Sequence, residues 1–116
     1  MPKFPGYDQF YIELNQAESA RRDGNEGKAR VCARRAAGVL IGEYLRRRGY
    51  EAGGSSAYER LKSLQVLPNV PDEVRIVSSH FLLRANPEGN LPEDVDLIGE
   101  ARRLESILLV VEKDNL

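Results

Sequence analysis

The 116-residue chain has no tryptophan, one cysteine, one histidine and one methionine, and these scarcities exclude several classes of site. Cys32 cannot form a disulfide within the chain and lacks the neighbouring cysteines or histidines of a zinc site, so we expect a buried structural thiol. One histidine cannot hold a metal by itself, and the sequence has no His-Glu-x-x-His pair, glycine-rich phosphate loop or Gly-x-Ser-x-Gly elbow. We therefore expect neither a metal nor a cofactor.

Long apolar runs are also missing, because charged residues interrupt the hydrophobic ones every few positions. The N-terminal segment lacks the apolar stretch of a signal peptide, so we expect a cytoplasmic protein without membrane contact. The composition is 41% hydrophobic and 30% charged, which is typical of a folded protein. A chain of this length fits a single domain over residues 1–116.

The net charge of −1 conceals an uneven distribution. Residues 1–50 carry ten Lys or Arg against six Asp or Glu, whereas residues 51–116 carry seven against twelve. Two interpretations are open: basic and acidic helices pair within the bundle or across a dimer, or the basic half forms a stripe that binds nucleic acid. The pattern favours the pairing.

Apolar residues recur at helical spacing along the whole chain, and no segment shows the sustained alternation of a strand. This pattern predicts an all-α, antiparallel up-and-down bundle of four core helices with an additional short helix. The predicted helices cover residues 8–22, residues 26–48, a short segment from residue 56 to before Pro68, a segment from Pro71 until the break at 86–89, and residues 92–112.

The helix ends have recognisable signals. Asp23 and Glu26 have the spacing of a capping box for the second helix, and Ser56 and Glu59 repeat that spacing for the third. Residues 49–55 are rich in glycine and serine and predict a loop.

Three features of the long second helix call for packing partners. Gly38 and Gly42 lie four residues apart and indicate a tight helix contact, for which a second subunit is one candidate. Glu43 falls within the apolar arc and needs a cation, for which we expect an arginine from another helix. The arginine run 46–48 is typical of a helix C-terminus, where cations interact favourably with the helix dipole.

The Gly27-Lys28-Ala29-Arg30 start of the long helix and the block from Arg75 to Arg103, which ends in LPEDVDLIGEARRL, resemble the HEPN family of prokaryotic helical bundles. The resemblance covers residues 8–112. It implies a homodimer that binds nucleotide or RNA and acts beside a minimal nucleotidyltransferase, often in toxin–antitoxin or defence modules.

Active members of that family cut RNA without a metal, using an arginine followed after four to six residues by a histidine. Arg75 and His80 match this spacing, which gives them candidate catalytic roles: His80 as the proton-transfer group and Arg75 as the stabiliser of the phosphate charge. Five steps along a straight helix rotate a side chain by about 140°, so the two would point apart if both lie within the fourth helix.

A second, apparently non-catalytic branch of the family gives another alignment, in which the segment 84–87 resembles an Arg-Tyr-Pro block. His80, Arg84 and Asn86 would then form a phosphate-binding group, with His80 and Arg84 on one helical face. Arg34 and Arg35 replace polar residues of that branch on the long helix and are further candidate phosphate ligands. The competing interpretation has His80 packed at the bundle edge and Arg84 paired with an acidic residue of the last helix.

Three functions follow from these patterns. The first is a non-catalytic HEPN-like binding and dimerisation module with a nucleotidyltransferase-type partner and nucleotide or RNA as ligand. The second is a metal-independent HEPN ribonuclease, and the third is a purely structural helical adaptor. The sequence favours the first.

Overall fold

The computed structural model describes residues 7–50, 54, 56–89, 91 and 95–114 of the chain. In these ranges it is an all-α bundle without strands, as predicted. Its five helices are α1 Tyr7–Arg22, α2 Glu26–Arg47, α3 Ala57–Val66, α4 Asp72–His80 and α5 Leu97–Asp114. Most of the predicted loop 49–55 and residues 92–94, where the last helix was predicted to begin, lie outside the described residues.

Helix α2 lies at the centre of the bundle and contacts α1, α3 and α5. Alanines dominate its inner face, so that neighbouring helices can approach its backbone closely. The face predicted from helical spacing is buried, including the Cys32 thiol: Ala29, Cys32, Ala33, Ala36, Ala37, Leu40, Ile41 and Tyr44. None of the described helices has both the length and the apolar character needed to cross a membrane.

The start of α2 differs from the predicted capping box. Gly24 adopts a φ of +80°, and the turn this permits places Asn25, not Asp23, at the N-cap. The Asn25 side chain accepts a hydrogen bond from the Lys28 backbone N–H at 3.1 Å. Glu26 instead binds Arg21 through both carboxylate oxygens, each at 2.9 Å. The Asp23–Glu26 box was therefore wrong.

The predicted cap of α3 is confirmed, because the Ser56 hydroxyl accepts a hydrogen bond from the Glu59 backbone N–H at 3.1 Å.

The predicted partner of Glu43 was wrong. Its carboxylate contacts Arg46 at 2.7 Å and Arg47 at 3.7 Å, both on its own helix. An intrahelical pair suffices because Glu43 lies at the rim of the apolar arc, within reach of the next turn.

The close contact predicted from Gly38 and Gly42 exists, and its partner is α3 of the same chain. A Cβ atom added at Gly38 would lie 2.5 Å from the Ala57 Cβ atom and 2.7 Å from its Cα atom. At Gly42 the nearest neighbour would be the flexible guanidinium of Arg60, at 3.0 Å. The glycines are thus explained by packing inside one chain and give no indication of a second subunit.

Helix α4 ends at His80, earlier than the predicted break at residues 86–89. The backbone N–H groups of Phe81 and Leu82 bond to carbonyls three residues back, at 3.2 and 3.0 Å, so the last turn tightens and the helix stops. The Phe81 side chain is fully buried and anchors this end in the core. Residues after Leu82 therefore do not share a helical face with His80.

Gly38→Ala is expected to lower the free energy of unfolding by about 1–3 kcal/mol, because the new methyl group would overlap the Ala57 backbone. The matched control is Gly27→Ala on the same helix, where an added Cβ meets only Asn25 Oδ1 at 3.9 Å. This control is expected to raise the free energy of unfolding by about 0.4–1 kcal/mol, since alanine restricts the unfolded chain. Urea unfolding followed by circular dichroism measures both changes, and equal effects at the two positions would contradict the packing argument.

Candidate functional site

The Arg75 side chain lies at the C-terminal end of α3. Its guanidinium donates to the backbone carbonyls of Leu64 at 3.4 Å and Leu67 at 2.7 Å, and also to that of Gln65. The Gln65 side chain donates back to the Arg75 carbonyl at 3.1 Å. The last carbonyls of a helix have no intrahelical donor, so Arg75 serves as a cap for α3.

The His80 side chain lies against α5. Its Nδ1 atom is 2.8 Å from Oε2 of Glu100, and the other oxygen of Glu100 is 3.9 Å from Arg103. Arg75 and His80 thus engage different helices, and the structure does not bring them together within one chain. The competing interpretation paired Arg84 with an acidic residue of the last helix, whereas in the structure Glu100 of that helix pairs with His80 and Arg84 interacts with Tyr58.

Two other candidates also lie apart from a common site. The Asn86 side chain accepts a hydrogen bond from the Glu88 backbone N–H at 3.1 Å and so stabilises a turn. Arg35 is exposed on α2, on a different side from Arg34. The predicted group of His80, Arg84 and Asn86 required a helix that continues past His80. Because α4 ends at His80, His80 and Arg84 do not share a helical face.

Arg34 and Arg84, by contrast, line the same cleft. The cleft has a volume of about 500 Å³ and lies between α2, the start of α3 and the segment that follows α4. Among the described residues that line it, the polar side chains are three arginines and a tyrosine, Arg30, Arg34, Arg84 and Tyr58, and we call this site the arginine cleft. Val31, Leu82, Leu83 and Leu91 are among its apolar lining residues.

Arg34 is held in place by the end of α4. Its Nε atom donates to the Phe81 carbonyl at 2.7 Å, which caps α4 from the side of α2. Burial lowers the pKa of this half-buried guanidinium, yet an arginine in a protein stays charged at neutral pH. One of its five N–H donors is used in this bond, and Arg34 lines the cleft.

Tyr58 and Arg84 lie beside each other in the lining of the cleft. A hydrogen-bonding interaction with Arg84 lowers the pKa of the exposed Tyr58 hydroxyl, and the charge of Lys62 acts in the same direction. The Lys62 ammonium lies 5.3 Å from the centre of the Tyr58 ring. The Tyr58 hydroxyl therefore lies close to the positive charges of Arg84, Lys62 and Arg34.

Arg30 and Tyr58 were missed in the sequence analysis. The Arg30 guanidinium donates to the Gly89 carbonyl, which brings this segment alongside α2. The signal for Arg30 was its spacing: Gly27, Arg30 and Arg34 recur at three and four residues and share one helical face. Tyr58 had no comparable signal, because its place depends on how α3 packs against α2.

In comparisons with known proteins, no protein-family model, no curated protein and no solved structure matches the chain. Over the described residues, no group of three or more His, Cys, Asp or Glu side chains is arranged to hold a metal ion.

Tyr58 is expected to ionise below its ordinary pKa of 10, because the neighbouring cations stabilise the phenolate. Arg84→Ala removes the interaction that lowers this pKa most, so it should raise the pKa of Tyr58 toward the ordinary value. Arg35→Ala should leave the pKa of Tyr58 unchanged. Tyrosinate absorbance measured against pH, with Tyr58→Phe to identify the signal, tests this. An unchanged titration in Arg84→Ala would contradict the proximity of the two groups.

Arg75→Ala is expected to lower the free energy of unfolding by about 2 kcal/mol, because partly buried carbonyls of α3 lose a charged donor. Arg75→Lys should recover only part of this loss, since an ammonium cannot reproduce the planar fork of a guanidinium. Arg35→Ala is the exposed control and should change stability by less than about 0.5 kcal/mol. Chemical unfolding of the three variants measures these differences. An Arg75→Ala variant with an unchanged free energy of unfolding would exclude the capping role.

Proposed function

We propose that this chain is a HEPN-like helical binding and dimerisation module without catalytic activity, which binds nucleotide or RNA phosphate in the arginine cleft. In this proposal it acts with a nucleotidyltransferase-type partner, as the family resemblance implies. The observation that carries the binding role is the convergence of Arg30, Arg34 and Arg84 on one cleft.

The charge of the cleft supports an anionic ligand. The described residues that line it include no aspartate or glutamate, although the whole chain has a net charge of −1. Arg30 and Arg34 hydrogen-bond to backbone carbonyls, which are neutral acceptors. These bonds do not neutralise the two guanidinium groups, and Arg30 also interacts electrostatically with the nearby Glu26 carboxylate.

The types of side chain favour a phosphate with an attached ring. Guanidinium groups bind phosphate oxygens in a planar, often bidentate arrangement. An exposed tyrosine offers a face on which a base can stack, and such stacking is common in proteins that bind single-stranded nucleic acids. Tyr58 lies beside Arg84, so the two interactions would act on neighbouring parts of one ligand.

The ribonuclease alternative gains no support from the placement of its two residues, because Arg75 caps α3 and His80 pairs with Glu100. It predicts RNA cleavage that persists in EDTA and disappears in His80→Ala. The adaptor alternative was based on Gly38, Gly42 and the alanine-rich second helix. The two glycines are explained by α3 of the same chain, and the alanines of the inner face of α2 are buried within the bundle.

The binding role is tested with a fluorescently labelled oligoribonucleotide and a labelled nucleoside monophosphate, using anisotropy. Arg84→Ala and Arg30→Ala should each weaken binding about tenfold, the cost of one charge-assisted hydrogen bond. Arg35→Ala is the matched control, since it removes the same charge from the same helix outside the cleft. Affinity should also fall as salt rises.

Equal losses in Arg84→Ala and Arg35→Ala would show that only net charge matters and would exclude a specific cleft. No measurable binding by the wild-type chain would exclude the proposed ligand class. Sedimentation equilibrium of the same samples tests the dimer separately, because a monomer at all concentrations would remove that part of the proposal.

A further inference from the structure

Helix α3 leads away from the arginine cleft. Its first residue, Ala57, packs against Gly38 of α2, and one turn later the Arg60 side chain lies at Gly42, which is one turn further along α2. Helix α3 therefore extends in the direction of the C-terminal end of α2, whereas the α2 residues that line the cleft end at Arg34. The exposed side of α3 continues the surface of the cleft in that direction.

Two exposed side chains lie one turn apart on this side of α3, Tyr58 and Lys62. The Lys62 ammonium lies over the Tyr58 ring, 5.3 Å from its centre. The positive charge of Lys62 acts on the Tyr58 hydroxyl, as does that of Arg84. The acidic residue of α3, Glu59, lies against Gly54. Lys62 thus adds a cation to the surface just outside the residues that line the cleft.

Cations therefore flank Tyr58 in two places. Arg84 interacts with its hydroxyl, with the charge of Arg34 nearby, and Lys62 lies over its ring. A mononucleotide has one phosphate group beside its base, whereas a nucleotide within a strand has a phosphate on each side of its sugar. Proteins bind single-stranded nucleic acids with a positively charged surface that follows the backbone and with aromatic rings on which bases stack. The position of Lys62 suits a second phosphate, next to the one that the cleft would hold.

We propose that Lys62 is a phosphate-binding residue outside the arginine cleft and that the ligand is a single-stranded RNA, not a mononucleotide. One phosphate lies at Arg34 and Arg84, the attached base stacks on the face of Tyr58 that Lys62 leaves free, and the next phosphate binds Lys62. A single strand is required because the bases of a duplex are stacked on one another and are not accessible to a tyrosine ring. This proposal rests on the proposed binding function and specifies its ligand.

The test is isothermal titration of the full chain with uridine 5′-monophosphate and with single-stranded hexauridylate, with both concentrations expressed per nucleotide. Wild-type protein should bind hexauridylate about fivefold more tightly than the monophosphate, because only the strand reaches Lys62 with a second phosphate. Lys62→Gln should weaken hexauridylate by about the same factor and leave the monophosphate unchanged. The salt dependence gives a second readout, since the loss of one phosphate contact should lower the slope of log affinity against log salt by about 0.7 for the strand.

Two control variants separate the contact from net charge. Lys62→Arg keeps the cation and should keep the affinity for hexauridylate. Arg35→Gln removes one positive charge from an exposed position outside the cleft and should alter neither the affinities nor the salt slope. The thermal midpoint of Lys62→Gln should equal that of the wild type, because Lys62 is exposed, so reduced binding cannot reflect unfolding. A blunt RNA duplex should bind more weakly than either of its separate strands.

Several outcomes would overturn this proposal while the proposed function stands, provided that Arg84→Ala still weakens binding. They are equal affinity per nucleotide for the monophosphate and hexauridylate, a Lys62→Gln variant that weakens both ligands alike or neither, and equal binding of the duplex and its strands. Tighter binding of hexadeoxyuridylate than of hexauridylate would overturn the choice of RNA. If wild-type protein binds none of these ligands, the proposed function itself fails.

Discussion

The arrangement of the bundle depends on the close approach of α3 to α2 at Gly38. The Ala57 side chain occupies the space that a side chain at position 38 would fill, so the two helices meet almost backbone to backbone. This contact also fixes the site, because Tyr58 directly follows Ala57 and Arg34 lies one helical turn before Gly38. The requirement for a glycine in the core of α2 is therefore coupled to the position of a tyrosine in the cleft.

A second constraint comes from the short helices α3 and α4, which have ten and nine residues. Each leaves carbonyls at its C-terminus without intrahelical donors, and such groups are costly when buried. Arg75 donates to these carbonyls in α3, and Arg34 does so for Phe81 at the end of α4. Guanidinium groups suit this task because several N–H donors radiate from one plane. Arg34 combines this capping with a position on the cleft wall.

Helical spacing was enough to predict the all-α bundle and the buried face of α2, because burial of one face imposes that period. Of the cleft, only Arg34 and Arg84 were among the predicted residues. Tyr58 could not be inferred, since its position follows from a contact between helices that are distant in sequence. His80 was misplaced relative to Arg84 because the end of α4 is set by the buried Phe81 and by three-residue hydrogen bonds, and neither has a strong local signal.

The basic residues of the described bundle have two kinds of partner. Away from the cleft, basic residues pair with carboxylates, as Arg21 does with Glu26 and Asp96, and such pairs neutralise the field locally. At the cleft, the hydrogen bonds of Arg30 and Arg34 go to neutral carbonyls, while Arg84 interacts with a tyrosine. A guanidinium held by neutral groups is fixed in position but keeps its charge. Preorganisation of this kind reduces the entropy lost when an anion binds, which is the property that the proposed binding role requires of the three arginines among the described lining residues.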